Sequence, residues 1–138
     1  MQNASYSYFD HEADIGIVGK GSTVESAFVQ AAMAVFAFMA DLSKISSRQV
    51  LHIQFEETDL ELALVEWLNA LLGQAREQGI VLHKFSLQRR DQSWIGEAWG
   101  EPWQEEFNRG TEVKGATLTM LAVKHSEDGW EARCVVDV

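Results

Sequence analysis

The sequence predicts an α+β fold, with two helices packed on a mainly antiparallel β-sheet. Two stretches carry apolar residues at helical spacing directly after an N-terminal capping pattern. Most other segments alternate between apolar and polar residues, as half-buried strands do, and two of them are joined by a tight turn. The 138 residues include one proline and show no composition break, so we expect a single domain spanning residues 1–138.

The first part of the chain predicts two extended segments and a long helix. Residues 5–9 alternate and form a strand, and residues 14–18 form a second, short extended piece. Ser22 and Glu25 stand three positions apart, as in a capping box, so the helix is expected to begin there and to continue to about Ala40. The apolar residues at helical spacing are Val24, Phe28, Ala31, Val35 and Phe38.

A strand and a second helix are predicted in the middle of the chain. Residues 48–55 place three apolar side chains on one face. Thr58 and Glu61 form a second capping-box pattern, and Gly79 can end the helix in a left-handed conformation. The apolar stripe of this helix comprises Leu60, Leu64, Trp67, Leu68, Leu71 and Leu72.

The last part of the chain predicts strands only. Residues 84–90 and 93–99 are expected to pair through a tight turn at residues 91–92, and residues 112–124 to form one long strand. Residues 130–138 form the final strand. One of its faces carries Trp130, Ala132, Cys134, Val136 and Val138, and the other carries Arg133, Val135 and Asp137.

The charge of the chain bears on which partners it can bind. The net charge of −10 and the scattered basic residues argue against tight, direct nucleic-acid binding. An acidic surface suits a basic protein partner or a hard cation, although it can also serve solubility alone.

The sequence also indicates a reducing cytoplasm. The single cysteine, Cys134, excludes an intramolecular disulfide and a Cys-rich zinc site. The first residues lack the pattern of a signal peptide. The longest apolar run, residues 31–40, is about half of what a membrane-spanning helix needs, so no membrane association is expected.

Few residues suggest catalysis. The segment 19–23 precedes a helix and contains two glycines and a lysine, but its spacing is not that of a phosphate-binding loop, and a strand-to-helix turn is favoured. The four histidines show no helical zinc-site spacing. His11 and Asp14 are close enough to pair, which most often reflects a structural hydrogen bond, and neither has an obvious nucleophile nearby.

Asp137 is unusual because it stands next to last on a strand with alternate apolar residues. With the chain ending at Val138, a free carboxylate lies close to the Asp137 side chain, and two such groups repel each other. A neighbouring cation would relieve that repulsion, whether Arg133, a lysine or a hard cation such as Ca²⁺. The alternative is a frayed, solvated terminus.

Four segments in order resemble the archease family. The stretch Phe9-Asp-His-Glu-Ala-Asp-Ile-Gly-Ile17 resembles its opening signature. The helix in residues 59–72 contains Glu-Trp-Leu-Asn. Gly100-Glu101-Pro102 is followed by Glu112-Val113-Lys114, and the chain ends in Val136-Asp137-Val138. The resemblance covers essentially the whole chain.

The resemblance implies a function. Archeases are non-catalytic cofactors of RtcB-type RNA ligases in tRNA splicing and RNA repair, and they speed guanylylation and multiple turnover. It further implies a divalent metal, with calcium expected, bound by Asp14, Asp137 and Val138. Lys114, together with His11 of the opening signature, is expected to serve partner contact or activation. The implied fold is a strand-helix-strand-strand module inserted in a similar one.

The resemblance is incomplete in three places, and other functions remain open. The loop in residues 103–108 departs from the family pattern, with Asn108 at the position of the usual histidine. Gly115 replaces the usual alanine after the lysine, and Glu12 replaces the usual threonine of the opening signature. One alternative is a chaperone-like interaction module for another RNA-modifying enzyme. Another is a metal-dependent hydrolase that uses His11 and Asp14.

Overall fold

Two helices and eight strands follow one another along residues 4–138, the part of the chain that the computed structural model describes. The strands are β1 (Ser5–His11), β2 (Asp14–Gly21), β3 (Gln49–Glu56), β4 (Ile80–Arg90), β5 (Ser93–Pro102), β6 (Gly115–Ala116), β7 (Ala122–Ser126) and β8 (Gly129–Asp137). The helices are α1 (Val24–Met39) and α2 (Leu60–Gln78), and short 3-10 turns lie at Leu42–Lys44 and Glu105–Phe107. The predicted α+β class is confirmed. Neither helix of this described part is long and apolar enough to cross a membrane.

The strands are divided between two antiparallel sheets, a division that the sequence did not indicate. One sheet has the order β1-β2-β8-β6, with β7 also paired to β8, and the other has the order β3-β5-β4. The segment β3-α2-β4-β5 is therefore a strand-helix-strand-strand module inserted between α1 and β6. Around it, β2, α1, β7 and β8 repeat the same order of elements. This arrangement confirms the architecture that the family resemblance implied.

Aromatic side chains join the inserted module to the surrounding one. The fully buried Trp67 of α2 donates a hydrogen bond from Nε1 to the carbonyl of Phe28 in α1, at 3.0 Å. Trp94 of β5 stacks between Phe28 and Phe55, with ring centroids 5.1 and 5.9 Å apart. One cluster of buried side chains thus includes residues from both helices and both sheets, and it fixes where the sheet edges stand.

Both helices begin one residue later than the capping patterns predicted. Thr23 caps α1, and its Oγ1 accepts a hydrogen bond from the Ser26 amide at 3.0 Å while the Ser26 Oγ accepts one from the Thr23 amide at 3.1 Å. Asp59 caps α2, because one carboxylate oxygen accepts from two amides of the first turn. The predicted end of α2 is confirmed, since Gly79 has φ 68° and donates its N–H to carbonyls of the last turn.

The long strand predicted for residues 112–124 is wrong. Only β6 and β7 form there, and a turn separates them. Ala116 pairs with Val136, and Ala122 pairs with Arg133. The chain therefore advances by six residues between these two pairs, while β8 advances by only three. The extra residues loop outward, leaving Leu118 and Met120 exposed at 64% and 48%. Alternation alone cannot reveal such an insertion, because the pattern of apolar residues continues across it.

Other predicted strands are confirmed. Residues 48–55 correspond to β3, and β4 and β5 pair closely around residues 91–92, where Asp91 has φ 57°. In β8 the predicted apolar face is buried at Ala132, Cys134 and Val136, while Asp137 is exposed.

Candidate metal and partner-binding site

The two aspartates lie side by side where neighbouring strands end. The register pairs Ile15 of β2 with Val136 of β8, so Asp14 and Asp137 occupy the next position on each strand. The Val138 amide donates a hydrogen bond to Asp14 Oδ1 at 3.4 Å. The structure therefore brings together all three residues of the predicted metal site, although they come from opposite ends of the chain.

Both carboxylates lie on the face of the sheet that points away from α1. Ile17, Cys134 and Val136 are fully buried on the other face, and side chains alternate along a strand. His11 pairs with Asp14 across the β1–β2 hairpin, so it shares the outer face with the aspartates. Val138 returns to the apolar side and packs against the core. A partner can thus approach His11, Asp14 and Asp137 from solvent.

Lys114 lies on the opposite side of the β8 end. Its amide donates to the Asp137 carbonyl at 2.7 Å, and Gly115 pairs with Asp137 in the register. The side chain of Lys114 is exposed. This end of the sheet consequently brings a lysine, two aspartates and a histidine from three separate parts of the sequence to neighbouring main-chain positions.

Two side chains of α2 hold the Lys114 segment in place, and sequence reasoning missed both. Arg76 Nη2 donates to the carbonyls of Val113 and Lys114, at 3.3 and 3.1 Å. Asn69 Oδ1 accepts from the Ala116 amide at 2.8 Å, and its Nδ2 donates to the Ala116 carbonyl at 3.3 Å. Asn69 lies in the quoted Glu-Trp-Leu-Asn motif, so the resemblance could have identified it. Nothing in the sequence pattern pointed to Arg76.

Arg133 does not neutralise the aspartates. It lies on their face of β8, but its guanidinium lies over the Phe9 ring, 5.9 Å from the centroid, and its Nε is buried without a hydrogen-bond partner in residues 4–138. Within that range no salt bridge reaches Asp14, Asp137 or Lys114. The carboxylates are therefore available to a cation.

The carboxylate oxygens of Asp14 and Asp137 are donors of the kind that hard cations prefer. In the described residues no three His, Cys, Asp or Glu side chains stand close enough to hold a metal ion, so a cation at Asp14 and Asp137 would need further oxygen donors. Two carboxylates plus an oxygen from the chain end or from water match the all-oxygen preference of Ca²⁺. Burial raises the pKa of Cys134 to about 12, so its thiol stays protonated and is a poor ligand.

The remaining histidines have partners elsewhere. His52 Nδ1 lies 3.5 Å from Glu97 Oε2, and His125 stacks on Trp130. His83 Nε2 lies 2.7 Å from Ser47 Oγ, a pairing that the sequence did not reveal. Burial lowers the pKa of His83, assisted by the neighbouring Lys84 charge.

Within residues 4–138 no carboxylate is hydrogen-bonded to His83, so the Ser47–His83 pair has no third group of a catalytic triad there. The adjacent carboxylate, Glu101, is buried and accepts hydrogen bonds from the Ser46 amide at 2.7 Å and from Gln104 Nε2 at 3.3 Å. It therefore anchors the preceding loop instead of orienting the imidazole, and the pair does not match the arrangement that activates a serine.

Close packing requires a glycine at position 16 of β2, which pairs with Phe9 of β1. A Cβ atom added there would lie 2.1 to 2.3 Å from atoms of the Phe9 ring. Phe9 is held on this face beneath Arg133. The glycine of the opening signature therefore lets an aromatic ring cover β2 two residues along the strand from Asp14.

Substituting Gly16 and Gly73 by alanine is expected to shift stability in opposite directions. Gly16→Ala forces Phe9 to move and should cost about 1–3 kcal/mol of unfolding free energy. Gly73→Ala adds a methyl group with nothing within 4 Å and should stabilise α2 by roughly 0.5–1 kcal/mol. Urea unfolding of both variants measures the difference. Equal stability of the Gly16 variant and the parent would show that the Phe9 ring is not fixed over β2.

The fold and this sheet edge define a class of protein. It is an α+β protein with an inserted strand-helix-strand-strand module and a pair of carboxylates, half-buried Asp14 and exposed Asp137, where β2 and β8 meet. A model of the archease protein family (MTH1598/TM1083) matches residues 6–138. The chain belongs to the archease family.

Relatives match nearly the full length. A protein archease of Methanosarcina barkeri is 34% identical over 143 residues, covering 99% of this chain and 98% of that protein. One from Sulfolobus acidocaldarius is 35% identical over 136 residues, covering 96% and 98%. The solution structure of Methanobacterium thermoautotrophicum protein 1598 superposes with a TM-score of 0.81 at 27% identity, covering 97% of this chain and 99% of that one.

Proposed function

We propose that this protein is a non-catalytic cofactor that activates an RtcB-type RNA ligase in the cytoplasm. In this role it promotes guanylylation and multiple turnover of the ligase in tRNA splicing and RNA repair. Membership of the archease family supports the proposal, because that activity is what the family resemblance implies. The observation that carries it is the meeting of three segments at one end of the β1-β2-β8-β6 sheet, where Asp14 and Asp137 lie side by side and the Lys114 amide is hydrogen-bonded to the Asp137 carbonyl.

The proposal includes a divalent cation, with calcium expected, held by Asp14, Asp137 and the carboxylate of Val138. The cation would supply positive charge between anionic groups that otherwise repel. Asp14 and Asp137 bind it from adjacent strands, and the Val138 amide already orients the Asp14 carboxylate. Lys114 and His11 flank the carboxylates and contact the ligase.

The charge of the protein supports a protein partner over direct RNA binding. A net charge of −10 attracts a basic surface and opposes a phosphate backbone. In this proposal the ligase binds the RNA and GTP and catalyses the reaction. This chain supplies the surface around Asp14, Asp137 and Lys114 that contacts the ligase.

Ligase activity with and without this protein tests the proposal. At matched GTP and metal, substoichiometric protein is expected to raise the multiple-turnover rate of a cognate ligase, while the protein alone joins no RNA and binds no GTP tightly. Equal ligase rates in its absence would refute activation. If a pull-down then recovers an RNA-modifying enzyme but not the ligase, the chaperone-like alternative is favoured. Phosphodiesterase activity of the isolated protein would favour the hydrolase.

A further inference from the structure

A cavity of about 380 Å³ opens between the C-terminal ends of both helices and the connection from β5 to β6. Its floor consists of buried apolar side chains, and its rim contains the ring of Trp103, which is 38% exposed. Arg76 and Glu112 stand at its other side. The floor residues are Phe36, Met39, Leu72, Ala75, Ile80 and Val113.

The walls of this cavity are fixed by main-chain hydrogen bonds. The Trp103 amide donates to the Gly79 carbonyl at 3.3 Å, and the Arg109 amide donates to the Met39 carbonyl at 2.9 Å. Further along, Arg76 holds the carbonyls of Val113 and Lys114. The connection is thus fastened to both helix ends, so the cavity is preformed and needs no large rearrangement to accept a ligand.

The surroundings of the cavity are acidic. The segment from Glu101 to Glu112 contains four glutamates and one arginine, a formal charge of −3, and Glu112 is the one of these glutamates that lines the cavity. Residues near the C-terminal ends of both helices line it, so the partially negative ends of the helices lie beside the cavity. Arg76 is the cation of the lining, and its guanidinium is already bound to two carbonyls and lies 3.6 Å from Glu112. An incoming basic group therefore meets negative charge that is only partly compensated.

We infer that this cavity receives an arginine side chain of a protein partner. The methylene stem of an arginine fits an apolar floor, and its planar guanidinium stacks on an exposed tryptophan and pairs with a carboxylate. Trp103 and Glu112 present those two groups at the rim. The inference rests on the proposed function only in naming the ligase as that partner; the preference of the cavity for a basic group is independent of it.

Amide chemical shifts of the isotopically labelled full chain test the ligand class. N-acetyl-arginine amide at millimolar concentration is expected to shift the resonances of Gly110, Thr111 and Val113, whereas the corresponding glutamate derivative leaves them in place. Trp103→Ala should abolish most of the shift. If the leucine derivative shifts these resonances and the arginine derivative does not, the cavity takes an apolar side chain and the inference is overturned. It is also overturned if no derivative produces a shift.

Activation of the ligase tests the partner. Trp103→Ala is expected to raise the concentration needed for half-maximal activation about tenfold and to leave maximal activation unchanged. Trp103→Phe should restore most of the affinity, and Tyr6→Ala, at an equally exposed aromatic of 38%, serves as the control. If the parent protein activates the ligase and Trp103→Ala requires no higher concentration, the ligase does not use the cavity. If the parent protein does not activate the ligase, the proposed function fails. The chemical-shift experiment then still decides whether the cavity binds an arginine side chain.

Discussion

Lys114→Ala is expected to lower maximal activation of the ligase at least tenfold while leaving the thermal unfolding midpoint nearly unchanged. The exposed side chain of Lys114 forms no salt bridge within residues 4–138. Its structural contacts are made by the main chain, through its amide to Asp137 and its carbonyl to Arg76, and alanine keeps both. Surface substitutions of this kind usually change stability by less than about 0.5 kcal/mol.

Matched variants separate the role of this charge from general electrostatics. Lys124→Ala removes an exposed lysine from β7 of the same sheet, and it is expected to activate like the parent protein. Lys114→Arg keeps the charge and should retain part of the activation. A large drop in the unfolding midpoint of Lys114→Ala would show instead that the lysine is structural. Full activation by that variant would remove Lys114 from the proposed interface.

Local features of the fold were predictable from the sequence because they depend on neighbouring residues. Gly79 ends α2 as expected, since only a few residue types adopt a left-handed conformation easily. The β4–β5 hairpin also follows from a short polar turn between alternating segments. The turn after Ala116 was missed because it depends on pairing with β8, and hydrogen bonds from Thr117 to the Val135 carbonyl stabilise it.

The candidate site could not have been derived from residue spacing. Asp14 and Asp137 meet because β2 pairs with β8, and strand order is not encoded in the local pattern. The family resemblance, and not the spacing, brought these residues together in the sequence prediction. Asn69 and Arg76 illustrate the same limit, because each contacts main-chain atoms more than thirty residues away, and a helix surface residue gives no indication of such partners.

The largest expected effect on metal affinity comes from the chain end. In protein that ends at Val138, adding a few glycines after it should weaken calcium binding at least tenfold, because the terminal carboxylate becomes a neutral peptide carbonyl. The same extension before Met1 is expected to leave affinity unchanged. Asp14→Asn and Asp137→Asn should each weaken binding as well, since each replaces an anionic donor on the shared outer face. Asp128→Asn, at the exposed turn between β7 and β8, is the matched control.

Calcium titration and thermal unfolding together decide between a metal site and a solvated chain end. At a calcium concentration 100-fold above the dissociation constant, binding to the folded state alone stabilises the parent protein by about 2.7 kcal/mol. That stabilisation should disappear in Asp14→Asn and Asp137→Asn and persist in Asp128→Asn. Equal calcium affinity of the extended and unextended proteins would exclude the terminal carboxylate as a ligand. Asp14 and Asp137 would then have to bind the ion with water alone, and Val138 would act only through its amide hydrogen bond to Asp14 and its apolar contact with the core.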